Sequence, residues 1–101
     1  MTTELSNPQK RYLRGLAHDL KPVVMVGAKG VTPSLLAELD QALEQHELVK
    51  IKVAAGDRDT RDAWIAELVE PSEAALVARI GHTAVLYRRS KDNPLVILPK
   101  G

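Results

Sequence analysis

Gly27-Ala28-Lys29-Gly30 is the stretch of this chain whose residue types and spacing could do chemistry. Two glycines around a lysine let a ligand approach the backbone with no Cβ in the way. The N–H groups of a helix starting just beyond would favour an anion. Phosphate is the obvious guest. Held there, it would gain charge-assisted hydrogen bonds of roughly 1.5–3 kcal/mol each, plus about 0.3–1 kcal/mol from the helix dipole. Those magnitudes suit one contact among several, not a deep pocket. The loop lacks the longer glycine spacer and the Lys-Ser/Thr pair of a Walker loop, and the further glycine of a dinucleotide fingerprint. Taken alone, the motif favours the plainer reading of a tight strand-to-helix turn.

Other chemistry is thinly supplied. His18, His46 and His82 stand apart in the sequence, with none of the spacing that zinc sites use, and the chain has no cysteine. Glu38, Asp40, Glu44 and Glu47 run along one expected helix as an acidic face. Asp57, Asp59 and Asp62 crowd a helix start, where capping explains them better than catalysis. Ser34 and Ser90 sit in no nucleophile motif. The residues therefore predict no catalytic centre, no metal and no cofactor. Aromatics are limited to Tyr12, Trp64 and Tyr87, so nucleic acid would be met chiefly at phosphate and sugar. Trp64 has the apolar neighbours of a core residue, while Tyr87 could anchor a hairpin or reach a ligand.

The elements that must position the loop follow from periodicity. Asn7 and Pro8 open a first helix, whose stripe Leu13, Leu16, Ala17 and Leu20 is expected to be buried and which should end near Leu20. Arg11, Arg14 and His18 form a basic ridge on its other side. Val23 to Val26 reads as a buried strand running into the glycine loop. Thr32 and Pro33 then mark a helix that continues to about His46, with Leu35, Leu36, Leu39, Ala42 and Leu43 inward. Leu48 to Ala54 alternates, placing Val49, Ile51 and Val53 on one face and Lys50 and Lys52 on the other. Gly56-Asp57 leads to a third helix, capped by Asp57 or Asp59, carrying Trp64, Ile65 and Leu68 inward and stopped by Pro71. Ala75 to Ile80 and Thr83 to Arg88 form a hairpin around Gly81-His82. The apolar tail from Asn93 to Pro99 is expected to pad an edge. The order α-β-α-β-α-β-β predicts an α/β fold with a small mixed four-stranded sheet and three helices, its first strands parallel. In such a sheet the strand carboxyl ends carry ligand loops, and Gly27 to Gly30 lies at one of them.

At 101 residues and 45% apolar content, the chain fits one domain spanning residues 1–101. No apolar run reaches membrane-spanning length and Met1-Thr2-Thr3-Glu4 is not a signal peptide, so a cytoplasmic protein with no membrane partner is expected. The net charge of +1 hides an alternation. Residues 1–31 hold five basic and two acidic groups, residues 32–47 none and four, and residues 71–101 five and two. A basic face forms if folding brings the ends and the loop together.

The ordered set of motifs resembles the bacterial YhbY-like proteins, stand-alone CRM domains. It comprises Leu13-Arg14-Gly15-Leu16-Ala17-His18, Lys21-Pro22-Val23-Val24, Gly27-Ala28-Lys29-Gly30, Leu48-Val49-Lys50-Ile51-Lys52, Ile80-Gly81 and Val85-Leu86-Tyr87-Arg88. The one departure is Glu70-Pro71-Ser72-Glu73, a turn where that family leads one to expect glycine. The resemblance implies a fold similar to the C-terminal domain of translation initiation factor three. It also implies RNA binding and association with precursors of the large ribosomal subunit. Its loop is similar to the Gly-x-x-Gly of KH domains, so Gly27, Ala28, Lys29 and Gly30 would meet the RNA backbone, helped by Arg11, Arg14, Lys21 and Arg88. The expectation is a non-catalytic protein with rRNA as partner, no small-molecule substrate and low sequence specificity. The rival readings are a phosphate- or nucleotide-binding enzyme using the same loop, and an adaptor docking on a ribosome-associated protein through the acidic helix.

Overall fold

The structure, a computed structural model, describes residues 5–90; the expectation for the tail after Asn93 lies outside them. The elements are α1 (Asn7–Ala17), β1 (Val24–Val26), α2 (Pro33–His46), β2 (Leu48–Val53), α3 (Arg58–Ser72), β3 (Ala75–Ile80) and β4 (Thr83–Tyr87). They form an α/β fold of three helices and one four-stranded mixed sheet in the order β1-β2-β4-β3. β1 is an edge strand parallel to β2, and the other pairings are antiparallel.

Each helix start is fixed by a local side chain. Ser6 caps α1: its Oγ accepts the Gln9 N–H, and Gln9 Oε1 accepts the Ser6 N–H in return. The helix opens at Asn7 and Pro8 as expected, with Ser6 just ahead as its cap. Thr32 Oγ1 accepts the Leu35 N–H at 3.1 Å at the head of α2. Of the two aspartates offered for α3, Asp57 is the cap, its carboxylate accepting the Thr60 N–H at 2.9 Å. That bond holds the Asp57 carboxyl below the ordinary aspartate value. Gly81, at φ +57, takes the first central position of the two-residue turn between Ile80 and Thr83, where an L side chain would be strained.

Strand alternation sorts the core into two layers. Val24, Val26, Val49, Ile51, Val53, Ala84 and Leu86 face Leu39 and Leu43 of α2 and Ile65 and Leu68 of α3. On the opposite sheet face, Leu48, Val77, Val85 and Tyr87 lie beneath Leu13 and Ala17 of α1. Tyr87 is therefore core, and burial raises its hydroxyl above the ordinary tyrosine value, with the Glu47 carboxylate pushing the same way.

Two boundaries depart from the sequence pattern. α1 ends at Ala17, and Leu16 and Leu20 of the expected buried stripe remain 42% and 39% exposed. The chain end there is satisfied from β2, where Lys50 Nζ donates to the Ala17 and Leu20 carbonyls at 3.4 and 3.3 Å. Leu16 and Leu20 then border an open groove of about 470 Å3 with Val23, Leu48 and Val49. Val23 itself is half exposed and precedes the strand. α3, in turn, runs through Pro71 to Ser72. In the last turn a missing N–H forfeits only one helical bond, and Ser72 Oγ closes the end by donating to the Leu68 and Val69 carbonyls. Glu73 then turns left-handed at φ 58, at the place where the family pattern leads one to expect glycine.

Candidate nucleic-acid interface

β1 delivers Gly27 to the carboxyl edge of the sheet, where the Gly30 N–H donates to the Gly27 carbonyl at 3.0 Å and closes a tight turn. Ala28 and Lys29 form its exposed tip. Among the described residues, the N–H groups of Ala28 and Lys29 meet no acceptor, and no carboxylate pairs with the Lys29 ammonium. These groups are free to meet an anion arriving from solvent.

The two glycines have different reasons. Gly30 is buried at φ +73, and a Cβ there would lie 3.1 Å from Trp64 Nε1 and 3.2 Å from its Cε2. The indole of α3 thus forms a wall behind the turn, and a side chain there would crowd it in a left-handed backbone that favours glycine. Trp64 is partly buried against the α2/α3 core layer, so its other role is to brace the loop. Gly27 has open space where a Cβ would stand and no left-handed φ. Nothing among the described residues demands glycine at position 27.

The helix that follows contributes less than its sequence suggests. Thr32 occupies the head of α2, and the cavity in front of Val31, Thr32 and Pro33 is also lined by Glu67 and Glu70. Two carboxylates at that position oppose an incoming phosphate. Anion contact is therefore confined to the turn itself, with one amide at the head of α2 already taken by the Thr32 cap.

Among the other expected basic contacts, the fold separates members that the sequence groups. Arg11 and Arg14 are exposed on α1, and Lys21 is exposed on the connection to β1 beside the apolar groove. Arg14 and His18 border a shallow cleft with Lys50, Ile80 and Val85, on the sheet face that α1 half covers. Arg88 is committed elsewhere. Its guanidinium donates to Asp40 Oδ1 at 2.7 Å, the Asp40 carbonyl at 3.1 Å, Glu44 Oε1 at 3.3 Å and the Ser72 carbonyl at 2.9 Å. Only 16% of that side chain is exposed. Arg88 thus pins the end of β4 to α2 and α3 and has little left for a phosphate.

The acidic face of α2 is correspondingly divided. Glu38 and Asp40 are exposed, Glu44 is half-buried, and Glu47 is fully buried, with its carboxylate accepting the Ser90 N–H at 2.7 Å. Glu44 and Glu47 hold the chain after β4 and do not form an open docking face. No group of three or more His, Cys, Asp or Glu among the described residues is placed to hold a metal ion. No helix among them is long and apolar enough to cross a membrane.

A mixed α/β layer with a braced Gly-x-x-Gly turn at one sheet edge defines the class of protein. The CRS1/YhbY (CRM) domain model matches residues 5–88, and the chain belongs to that family. It is 51% identical over 90 residues to a Haemophilus influenzae protein named RNA-binding protein, an alignment covering 89% of this chain and 91% of that one. Similarity to Bacillus subtilis YqeI is 39% identity over 95 residues, covering 94% and 99% of the two chains. A solution structure of a Staphylococcus aureus protein, 36% identical, superposes with a TM-score of 0.82 and covers 95% of this chain and 100% of that one.

Proposed function

We propose that this protein binds RNA without catalysis, gripping the phosphate backbone of rRNA with the Gly27–Gly30 turn and assisting assembly of the large ribosomal subunit in the cytoplasm. The observation that carries the reading is the turn itself: two unengaged amides and an unpaired ammonium at an exposed tip, held from behind by Trp64. Gly27, glycine without an internal reason, supports close approach by an outside group. The relative named for RNA binding supports the choice of polyanion. Lys29 is the principal contact, with Arg11, Arg14 and Lys21 adding longer-range attraction. Contacts of this kind read backbone and position, so sequence selectivity is low.

Affinity for single-stranded RNA should fall with salt, log K losing about 0.7 per log unit for each phosphate contacted. Lys29→Ala should reduce that slope by about one contact while far-UV circular dichroism stays unchanged. A folded Lys29→Ala protein with an unaltered slope removes the turn from the interface. Sedimentation of cell extract tests the assembly role: the protein should travel with precursors of the large subunit and leave that fraction after nuclease treatment.

A further inference from the structure

Among the described residues, the α1 side of the sheet is only half covered. Ala17 and Lys50 mark the last row beneath the helix, where Lys50 pairs across the sheet with Val85. One row further toward the loop, Met25 pairs with Lys52, Lys52 with Thr83, and Thr83 with Ile80. These residues form one continuous line across all four strands. Their neighbours Val24, Val26, Ile51, Val53 and Ala84 point into the α2/α3 layer, so the row faces the other way, toward solvent. Met25 and Ile80 are each 60% exposed and Lys52 is exposed as well. At about 4.8 Å between strands, the row is about 14 Å wide.

We propose that this row is a base-contacting platform for unpaired RNA nucleotides, with the Gly27–Gly30 turn as the phosphate clamp at its β1 edge. The inference rests on the RNA-binding reading and adds where the bases go. Met25 lies two residues before Gly27 on the same edge strand, so a strand of RNA leaving the turn can continue onto it. The row is a pair of apolar side chains on rigid backbone, separated by an ammonium and a hydroxyl. Its border holds Arg14, His18 and Lys50, and no member of the row or of that cleft is a carboxylate. Apolar surface framed by cations complements a base with its phosphate, whereas a plain apolar protein segment would leave those charges unanswered. The thioether and the isoleucine present no hydrogen-bond code, so the apolar contacts themselves do not select among bases.

The test compares an oligouridylate with an abasic strand of the same length and backbone. The wild-type protein should bind the abasic strand about fivefold more weakly, at the low end of base stacking because the surface is aliphatic. The double variant Met25→Ser, Ile80→Ser should bind both strands alike while keeping the wild-type salt slope. Methyl resonances of Met25 and Ile80 in the wild-type protein should shift upfield, by ring currents, with the oligouridylate and not with the abasic strand. Equal wild-type affinity for the two strands, with Lys29→Ala still lowering the slope, overturns the platform and leaves the RNA-binding reading standing. Absence of salt-dependent binding to either strand overturns both. A double variant that changes only the sedimentation coefficient, with no effect on strand discrimination, assigns the row to self-association and also overturns the platform.

Discussion

Lys29 and Arg88 are both basic and both stand just beyond a strand, yet the fold gives them opposite work. Lys29 projects from a turn where no carboxylate among the described residues pairs with it, while Arg88 is spent on Asp40, Glu44 and the end of α3. A count of charges along the chain weighs them equally. Their difference lies in what the third dimension sets beside them: α2 sends its acidic flank toward the end of β4 and away from the end of β1. A basic residue near acids becomes a strut, and one held away from them keeps its charge available to a ligand.

That contrast can be broken most sharply by reversing the free charge. Lys29→Glu should weaken RNA binding about thirtyfold, the equivalent of about 2 kcal/mol, with no change in the urea midpoint. A calorimetric or anisotropy titration beside a denaturation curve checks both halves. Arg88→Ala should do the reverse, costing about 2 kcal/mol of stability while the folded protein keeps its RNA affinity. The figure lies below that for a fully buried pair because Asp40 is largely in water. If Arg88→Ala instead weakens binding at unchanged stability, Arg88 belongs with Lys29.

The glycines sharpen the same comparison at smaller amplitude. Gly30→Ala should lower stability by about 1–2 kcal/mol, since the new methyl meets Trp64 in a left-handed backbone. Gly15→Ala, in the exposed last turn of α1 with nothing near the added carbon, should raise stability by about 0.5 kcal/mol. Thermal or urea unfolding of the two variants side by side distinguishes a glycine the fold needs from one it merely carries.

The smallest effect concerns pH. The Asp57 carboxyl is held below its ordinary value by the Thr60 amide, so its contribution is complete above the ordinary aspartate range and fades as pH falls through the depressed value. Asp57→Asn keeps a capping oxygen that does not titrate. Its melting temperature should therefore fall less steeply on the acid side than the wild-type protein's. Superimposable pH profiles for the two proteins would detach the acid sensitivity from this cap.

Much of the architecture was legible from local rules. The Thr32-Pro33 start, the alternation through β2 and the Gly81 turn are each dictated by residues within a few positions, and the structure keeps them. The misreadings share a different cause. Leu16 and Leu20 follow the helical period of a buried stripe, but how far a sheet extends beneath a helix is not written in that helix. Pro71 carries a strong stop signal, but Ser72 can close the last turn without it. For Tyr87 the sequence allows hairpin anchor or ligand contact, and the cover of α1 decides between them.

By itself, the sequence determined the element order, the Thr32 cap, the turn chemistry and a lysine between two glycines, because these depend on backbone sterics and neighbouring side chains. The tertiary structure alone decided that Trp64 backs Gly30, that Arg88 is a strut, and that Met25, Lys52, Thr83 and Ile80 fall in one exposed row. The reason is physical: each of those outcomes joins residues from different elements, and only packing and strand register set the distance between them.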